Sequence, residues 1–265
     1  LVSSVLKLVK GHAAILLRRP APTLIISDLH LGFEEEMRSR GINVPPQSWK
    51  IVGEVISLAR SCSAKRLIIL GDVKHHFAGG SGLEWRTLPS MFRRIKEHVP
   101  EVLLLPGNHD GGIRNILGDM VEYLPSRGFY VEDEKVGLMH GHVWPSHSLI
   151  YSKLLITGHV HPVATLSGSD GRVRRRVWLR LTGDRRRLAE KVLGLSPHHA
   201  RGQVELIVMP SFNSLLSGRQ VTELGSMRRG GGPLLRSGIF DLSSAEAILL
   251  DGTSLGPVSS LVVEA

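Results

Sequence analysis

The chain has 265 residues, 42% of them apolar, and a formal charge of +9. That length allows one large domain or two small ones, and the apolar fraction provides for a buried core. A lone cysteine, Cys62, excludes an intramolecular disulfide and any zinc site built from several thiolates; it fits a reducing compartment, read here as the cytoplasm.

No apolar run approaches the ~18 residues that span a bilayer, so no membrane partner is expected. The opening LVSSVLKLVKGHAAILL is broken by Lys7, Lys10 and His12, and no small-residue cleavage site follows it. It reads as an amphipathic lead-in to a strand over Ala13–Leu17 rather than as a signal peptide. The positive charge has two readings, a soluble basic protein or one with a polyanionic partner such as nucleic acid.

Five short, almost wholly apolar runs then read as strands buried on both faces: Leu24–Ile26, Leu67–Leu70, Val102–Leu105, Val136–Met139 and Leu154–Ile156. Pro46–Ala64 separates the first two, with Trp49, Val52, Val55, Ile56 and Ala59 at helical spacing. Glu84–Val99 separates the next pair, with Trp85, Leu88, Met91, Phe92 and Ile95 at the same spacing. Pro89 marks a kink or the helix start there. Strand–helix–strand alternation predicts a layered α/β fold with a largely parallel centre. The last third reads as strands over Arg176–Thr182, Val204–Met209 and Gly238–Leu250 with little helix between. Gly183 opens a turn, and Arg228–Pro233, RRGGGP, forms a loop. With no internal repeat and no clear linker, residues 1–265 read as one domain.

The ends of the five apolar strands carry the chemistry. They run into Asp28-Leu29-His30, Gly71-Asp72, Gly107-Asn108-His109-Asp110, His140-Gly141-His142 and Gly158-His159-Val160-His161. Open α/β sheets bind ligands outside the carboxyl ends of their strands, so these loops should meet in one patch. If Leu154–Ile156 continues extended, His159 and His161 point the same way. Imidazole and carboxylate ligands without sulfur suit Mn, Fe, Zn or related ions better than Ca or Mg. Two ions sharing a carboxylate can clamp a phosphoryl group. Each dipeptide alone occurs by chance; the ordered set at successive strand ends does not read as purely structural.

In this order, D-x-H, GD, GNHD, HG and GHxH resemble the signature of the calcineurin-like metallophosphoesterases, over Asp28 to His161. The resemblance implies two sheets packed face to face, a β-sandwich flanked by helices, and two divalent ions, Mn2+ first, with Fe, Zn or Ni as alternatives. It implies that Asp28, His30 and His161 hold the first ion, that Asp72 bridges, and that Asn108, His140 and His159 hold the second. His109 would stabilise phosphoryl charge or protonate the leaving oxygen, with Asp110 orienting it. His142 would then lie behind the ligands or face substrate. Within the family, SDLHLGFEEEMRSRGINVP and GDVKHH look like an archaeal ICC-like branch, similar to the DNA-ligase-associated metallophosphoesterases, which implies DNA-repair proteins as partners.

Other residues keep two readings. Lys74, His75 and His76 either contact substrate phosphate or cap a turn at the rim. Asn213 either reaches the site or closes a turn, the latter favoured. Glu34, Glu35 and Glu36 read as a solvated helix start. The basic stretch Arg172–Lys191 reads as a solvated face, a mobile loop or a phosphate-binding arm.

The expected function is phosphoester hydrolysis by a metal-activated water, with a phosphodiester of DNA, RNA or nucleotides as substrate. A small-molecule phosphomonoesterase and a cyclic-nucleotide phosphodiesterase are the enzyme alternatives. A non-catalytic, metal-stabilised nucleic-acid-binding protein is the alternative from another class.

Overall fold

Residues 6–77, 82–168, 171–195, 200–226 and 231–261 are described by the structure, a computed structural model. Within them, one sheet comprises β1 (Leu6–Leu8), β2 (Ile15–Leu17), β3 (Thr23–Ile26), β4 (Arg66–Ile69), β5 (Glu101–Leu104) and β6 (Glu122–Tyr123), in that spatial order. β3 to β6 run parallel. The crossover after β3 carries α1 (Phe33–Ser39) and α2 (Ser48–Ser61). α3 (Gly82–Lys96) links β4 to β5, and α4 (Ile113–Leu117) follows β5.

The second sheet contains β7 (Phe129–Val131), β8 (Val136–Met139), β9 (Leu154–Thr157), β10 (Pro162–Gly168), β11 (Gly171–Asp184), β12 (Gln203–Val208) and β13 (Arg219–Gln220), with β14 (Glu246–Leu249) and β15 (Ser254–Pro257) joined through β11. The five apolar runs are therefore strands, but not of one sheet. Three lie in the first sheet and two, β8 and β9, pair parallel in the second. The sheets pack face to face: Ile25, Ile68 and Leu103 of one meet Leu138, Ile156, Trp178 and Ile207 of the other in a shared core. Burial on both faces explains why these strands lack polar alternation.

α2 and α3 cover the outer face of the first sheet through Val52, Val55, Leu88 and Phe92. Trp49 and Trp85, placed by spacing on those stripes, instead lie at the surface, 48% and 44% exposed. Pro89 sits inside α3.

The basic stretch is regular structure. β11 runs through Gly183 to Asp184, and Arg185–Leu193 forms α5, so no turn opens at Gly183. Asp184 caps α5 by accepting from the Arg187 amide at 2.8 Å, and Gly194 ends it with φ 72°. Leu188 and Ala189 bury its inner face. Of the expected strand over Gly238–Leu250, only β14 forms. Arg228 to Gly230 lie outside the described residues, and Gly232–Arg236 forms α6 with Pro233 in its first turn, where the missing amide hydrogen costs nothing.

Candidate metal centre

The loops after β3 and β4 continue their strands' pairing. Asp28 N donates to the Gly71 carbonyl, His30 N to that of Asp72 and Leu31 N to that of Val73, at 3.1, 2.9 and 2.8 Å. From the second sheet, Gly158 N donates to the His140 carbonyl at 3.0 Å, and Thr157 Oγ1 donates to the same oxygen at 2.6 Å. The two sheets join where His159 N donates to the Asp28 carboxylate, 3.1 and 3.2 Å from its oxygens.

Side chains of the strand-end loops converge around two buried carboxylates. Asp28 Oδ1 stands 3.0 Å from His161 Nε2, and Asp72 Oδ2 stands 3.4 Å from His30 Nε2 and 3.3 Å from His140 Nε2. Asn108 Oδ1 is 3.1 Å from His140 Nε2. Potential ligand atoms of Asp28, His30, Asp72 and His161 all lie within 4.8 Å of one another, as do those of Asp72, His140 and His159.

The expected extended geometry of the His-x-His pair is not observed. β9 ends at Thr157, and both His159 and His161 have positive φ, 71° and 50°. They separate because each sits in a tight left-handed turn: His161 faces Asp28, and His159 faces Asp72 and His140.

Glycines clear the space. A Cβ on Gly107 would stand 2.2 Å from Asp72 Oδ1, and one on Gly158 would stand 1.9 Å from Ser27 Oγ and 2.5 Å from Asp28 Oδ2.

The electrostatics keep both carboxylates ionised. Burial alone would raise the Asp72 pKa, but His140 and His30 outweigh it and hold the carboxyl below its ordinary range. Asp28 behaves likewise, with His161 and His140 offsetting its burial. His140 is pushed down by burial, yet Asp72 and Asp28 lift it to about 9. His159 falls to about 3, by burial first and then by His140.

A metal fits these residues. His30 Nε2 and His161 Nε2 are buried nitrogens with no hydrogen-bond partner among the described residues, although carboxylate oxygens stand close by. Nitrogen and oxygen lone pairs facing one another off the hydrogen-bond direction match a shared cation.

Among the described residues, the Asp110 carboxylate makes no hydrogen bond to the His109 ring. That buried carboxylate is consumed by backbone amides, accepting from Asp72 N and Gly107 N at 2.8 Å each and from Val73 N at 2.9 Å. His109 Nδ1 instead meets the His75 carbonyl, and its Nε2 lies 3.9 Å from Asp72 Oδ2. Phe77, 62% exposed, lays its ring over His109 with centroids 3.7 Å apart. His142 lies beside the cluster, its ring 5.2 Å from that of His140, and burial followed by His140 lowers it to about 4.

Among the two-way residues, Lys74 is fully buried and turns its ammonium to the His76 and Phe77 carbonyls. His76 pairs with Glu84 at 3.1 Å. His75 turns inward between Glu36 and His30. Asn213 is buried; it donates to the Leu29 carbonyl at 3.1 Å and closes its own turn onto Leu215 N at 3.0 Å.

The acidic run is not simply solvated. Glu34 is buried and accepts from Gln47 N and Ser48 N, anchoring the start of α2, while Glu36 contacts His75 and Arg40. Sequence reading missed these two because Gln47, Ser48 and His75 come from other elements. Arg176, counted only as charge, donates to the Ser211 and Phe212 carbonyls at 2.7 and 2.8 Å and so braces the loop against Ser27 and Asp28.

A two-sheet sandwich with carboxylates, an asparagine and imidazoles gathered at one edge defines a protein built around a metal-type centre. The chain belongs to the calcineurin-like phosphoesterase family, whose model matches residues 21–207, more than half of its length. Divalent metals serve that family, and the cluster described above is a candidate site for them. The chain is 28% identical over 118 residues to Phosphodiesterase YfcE of Escherichia coli (strain K12), a stretch covering 43% of this chain and 64% of that protein, less than two thirds of its length. The crystal structure of Pseudomonas putida nuclease MPE superposes with a TM-score of 0.52 at 20% identity, covering 92% of each chain, and so shares the fold. Among the described residues, no helix is long and apolar enough to cross a membrane.

Proposed function

We propose that this chain is a two-metal phosphodiesterase acting on nucleic acid. The observation that carries it is the position of Asp72 Oδ2, 3.4 Å from His30 Nε2 and 3.3 Å from His140 Nε2. One carboxylate oxygen thereby faces two separate nitrogen sets, as a bridging ligand requires.

In this reading Asp28, His30, His161 and Asp72 hold one divalent ion, and Asp72, Asn108, His140 and His159 hold the other, with Mn2+ the ion proposed. When bound, the pair supplies positive charge for the phosphoryl oxygens and a deprotonated water as nucleophile near neutral pH. His109 commits Nδ1 to the His75 carbonyl, so Nε2 is its free end and meets the phosphoryl or leaving oxygen. Asp110 fixes the turn that carries Asp72 and Gly107 and takes no part in proton transfer. Lys74 and Glu84 hold the His75–His76 loop.

The charge of +9 and the exposed Arg174 and Arg175 on the β10–β11 ribbon support a nucleic-acid diester. The stretch shared with a phosphodiesterase supports a diester over a monoester. We place the chain in the archaeal ICC-like branch near the DNA-ligase-associated enzymes, on the motifs alone, which makes DNA-repair proteins the partners to test. Residues 1–265 act as one domain in this reading.

The test is Mn2+-dependent hydrolysis of a bis-aryl phosphate against a mono-aryl phosphate, followed by nicking of single- and double-stranded DNA. Diester and DNA cleavage, abolished by Asp72→Asn, is expected. Activity confined to the monoester would overturn the nuclease reading, and salt-sensitive DNA binding with no turnover under any divalent ion would overturn the enzyme reading.

A further inference from the structure

We propose that Glu36 and His75 form a positioning chain that fixes which nitrogen of His30 is free to bind metal. The inference rests on His30 being a ligand of the first ion.

The loops after β3 and β4 are zipped together by a parallel bridge between Leu31 and Lys74, and His75 N donates to the Leu31 carbonyl at 3.0 Å. That pairing sets His75 beside His30, with ring centroids 5.3 Å apart and planes at 60°. Their Nδ1 atoms are 3.2 Å apart. Phe33 packs its ring at 87° to that of His75, 5.1 Å away, and limits the ring's rotation. The far nitrogen of His75, Nε2, contacts a carboxylate oxygen of Glu36, whose other oxygen engages Arg40.

Donor and acceptor counting then has one solution. An ionised carboxylate only accepts, so His75 Nε2 carries a hydrogen. In a neutral imidazole the other nitrogen, Nδ1, is then bare and accepts. His30 must supply the hydrogen between the two rings, from its own Nδ1. The lone pair of His30 is thereby placed on Nε2, the nitrogen that faces Asp72 Oδ2 at 3.4 Å. The opposite assignment would put a hydrogen on His30 Nε2 and aim it at a carboxylate. That nitrogen makes no hydrogen bond, which argues against it.

Metal-binding histidines commonly donate their second ring N–H to a carboxylate or carbonyl, which fixes tautomer and ring orientation. Here a second histidine is inserted between the ligand and its carboxylate. The arrangement also gives His75 a role other than substrate contact. His30, His75 and His109 together have the spacing of a third cation site. A cation there would need a bare His30 Nδ1, which the chain forbids while Nε2 serves the first ion.

The experiment uses the full chain, metal-free and titrated with Mn2+, as wild type, His75→Phe and Glu36→Gln. Long-range 1H–15N correlation spectra of the metal-free imidazoles should show His30 protonated on Nδ1 and His75 on Nε2. Calorimetric titration should show His75→Phe losing 10- to 100-fold in affinity for one of two ions and keeping the other. Glu36→Gln retains an acceptor oxygen and should fall between wild type and His75→Phe; it also serves as the fold-safe variant should His75→Phe unfold. Wild-type affinity for both ions in both variants, or His30 protonated on Nε2, would overturn the chain. So would a third ion bound by wild type and lost in His75→Phe, since His75 would then be a ligand itself. Two ions bound without any diester cleavage would sink the proposed function and leave the chain standing. If wild type bound no Mn2+, the metal reading would fail and the metal-free spectra alone would decide the tautomers.

Discussion

Replacing Asp110 with asparagine tests whether this residue holds the bridging carboxylate's turn or assists His109. In the structure Oδ2 accepts from Asp72 N and Gly107 N, and Oδ1 from Val73 N with Lys74 N more distant at 3.4 Å. An asparagine must turn its amide NH2 toward one of these sets, leaving one or two buried N–H groups facing a donor. Each unsatisfied buried donor costs about 1–3 kcal/mol. Asp110 has its pKa raised by burial first and by Asp72 second, so removing its charge returns part of that cost. The net expectation is a loss of about 2–4 kcal/mol of folding stability. Urea unfolding of the metal-free protein, followed by circular dichroism, reads this directly. Mn2+ affinity should fall in parallel, because Asp72 is held at φ 52° by the same bonds. A variant of wild-type stability with a reduced turnover would refute the argument and return Asp110 to a role at His109.

Three further outcomes are expected. Gly158→Ala would force its Cβ into Ser27 and Asp28, and should weaken Mn2+ binding at least tenfold by titration while destabilising the fold by about 1–3 kcal/mol; unchanged affinity would contradict the crowding. In chelator, stability should peak near pH 6.5. His159 and His142, held near 3 and 4, refuse protons that the unfolded chain takes up below about 6.5, so stability falls as pH drops from there. His140, held near 9, keeps a proton that the unfolded chain has lost, so its contribution disappears as pH rises from about 6.5 to 9; urea midpoints independent of pH from 5 to 9 would refute this. Replacing Arg174 and Arg175 together with alanine should lower the slope of log K against log salt for duplex DNA by about one to two; an unchanged slope would place the β10–β11 ribbon away from the phosphate backbone.

The parts of the fold legible in the sequence are those where burial leaves little choice. β3, β4, β5, β8 and β9 are apolar on both faces, and each runs straight into its polar strand-end residue. Sheet membership was hidden, because a strand buried in either layer has the same composition. α5 was masked by its arginines, although its signals are local: Asp184 three residues before the Arg187 amide, Leu188 and Val192 four apart, and Gly194 at the end. Glu34 and Glu36 had no such signal. An acidic first turn is the ordinary solvated pattern, and apart from Arg40, four residues after Glu36, their partners are 13 to 39 residues away.

The candidate site was legible as a list of side chains and illegible as geometry. Among the described residues, five of the seven non-glycine positions with positive φ, Asp28, His30, Asp72, His159 and His161, lie at the candidate metal centre, and Ser63 and Lys135 lie elsewhere. Left-handed backbone is unfavourable for side chains with a Cβ, and it persists only where surrounding bonds over-determine it. The bonds that do so are visible: the Asp110 carboxylate on Asp72 N, and the Asp28 carboxylate on His159 N. Alternation along a strand therefore says nothing about where His159 and His161 point. Each is placed by its own turn: His159 N is tied to the Asp28 carboxylate, and the His161 carbonyl accepts from Arg219 N of β13. An ordered set of strand-end motifs can name the candidate ligands, but which carboxylate each one faces depends on long-range hydrogen bonds that no local pattern records.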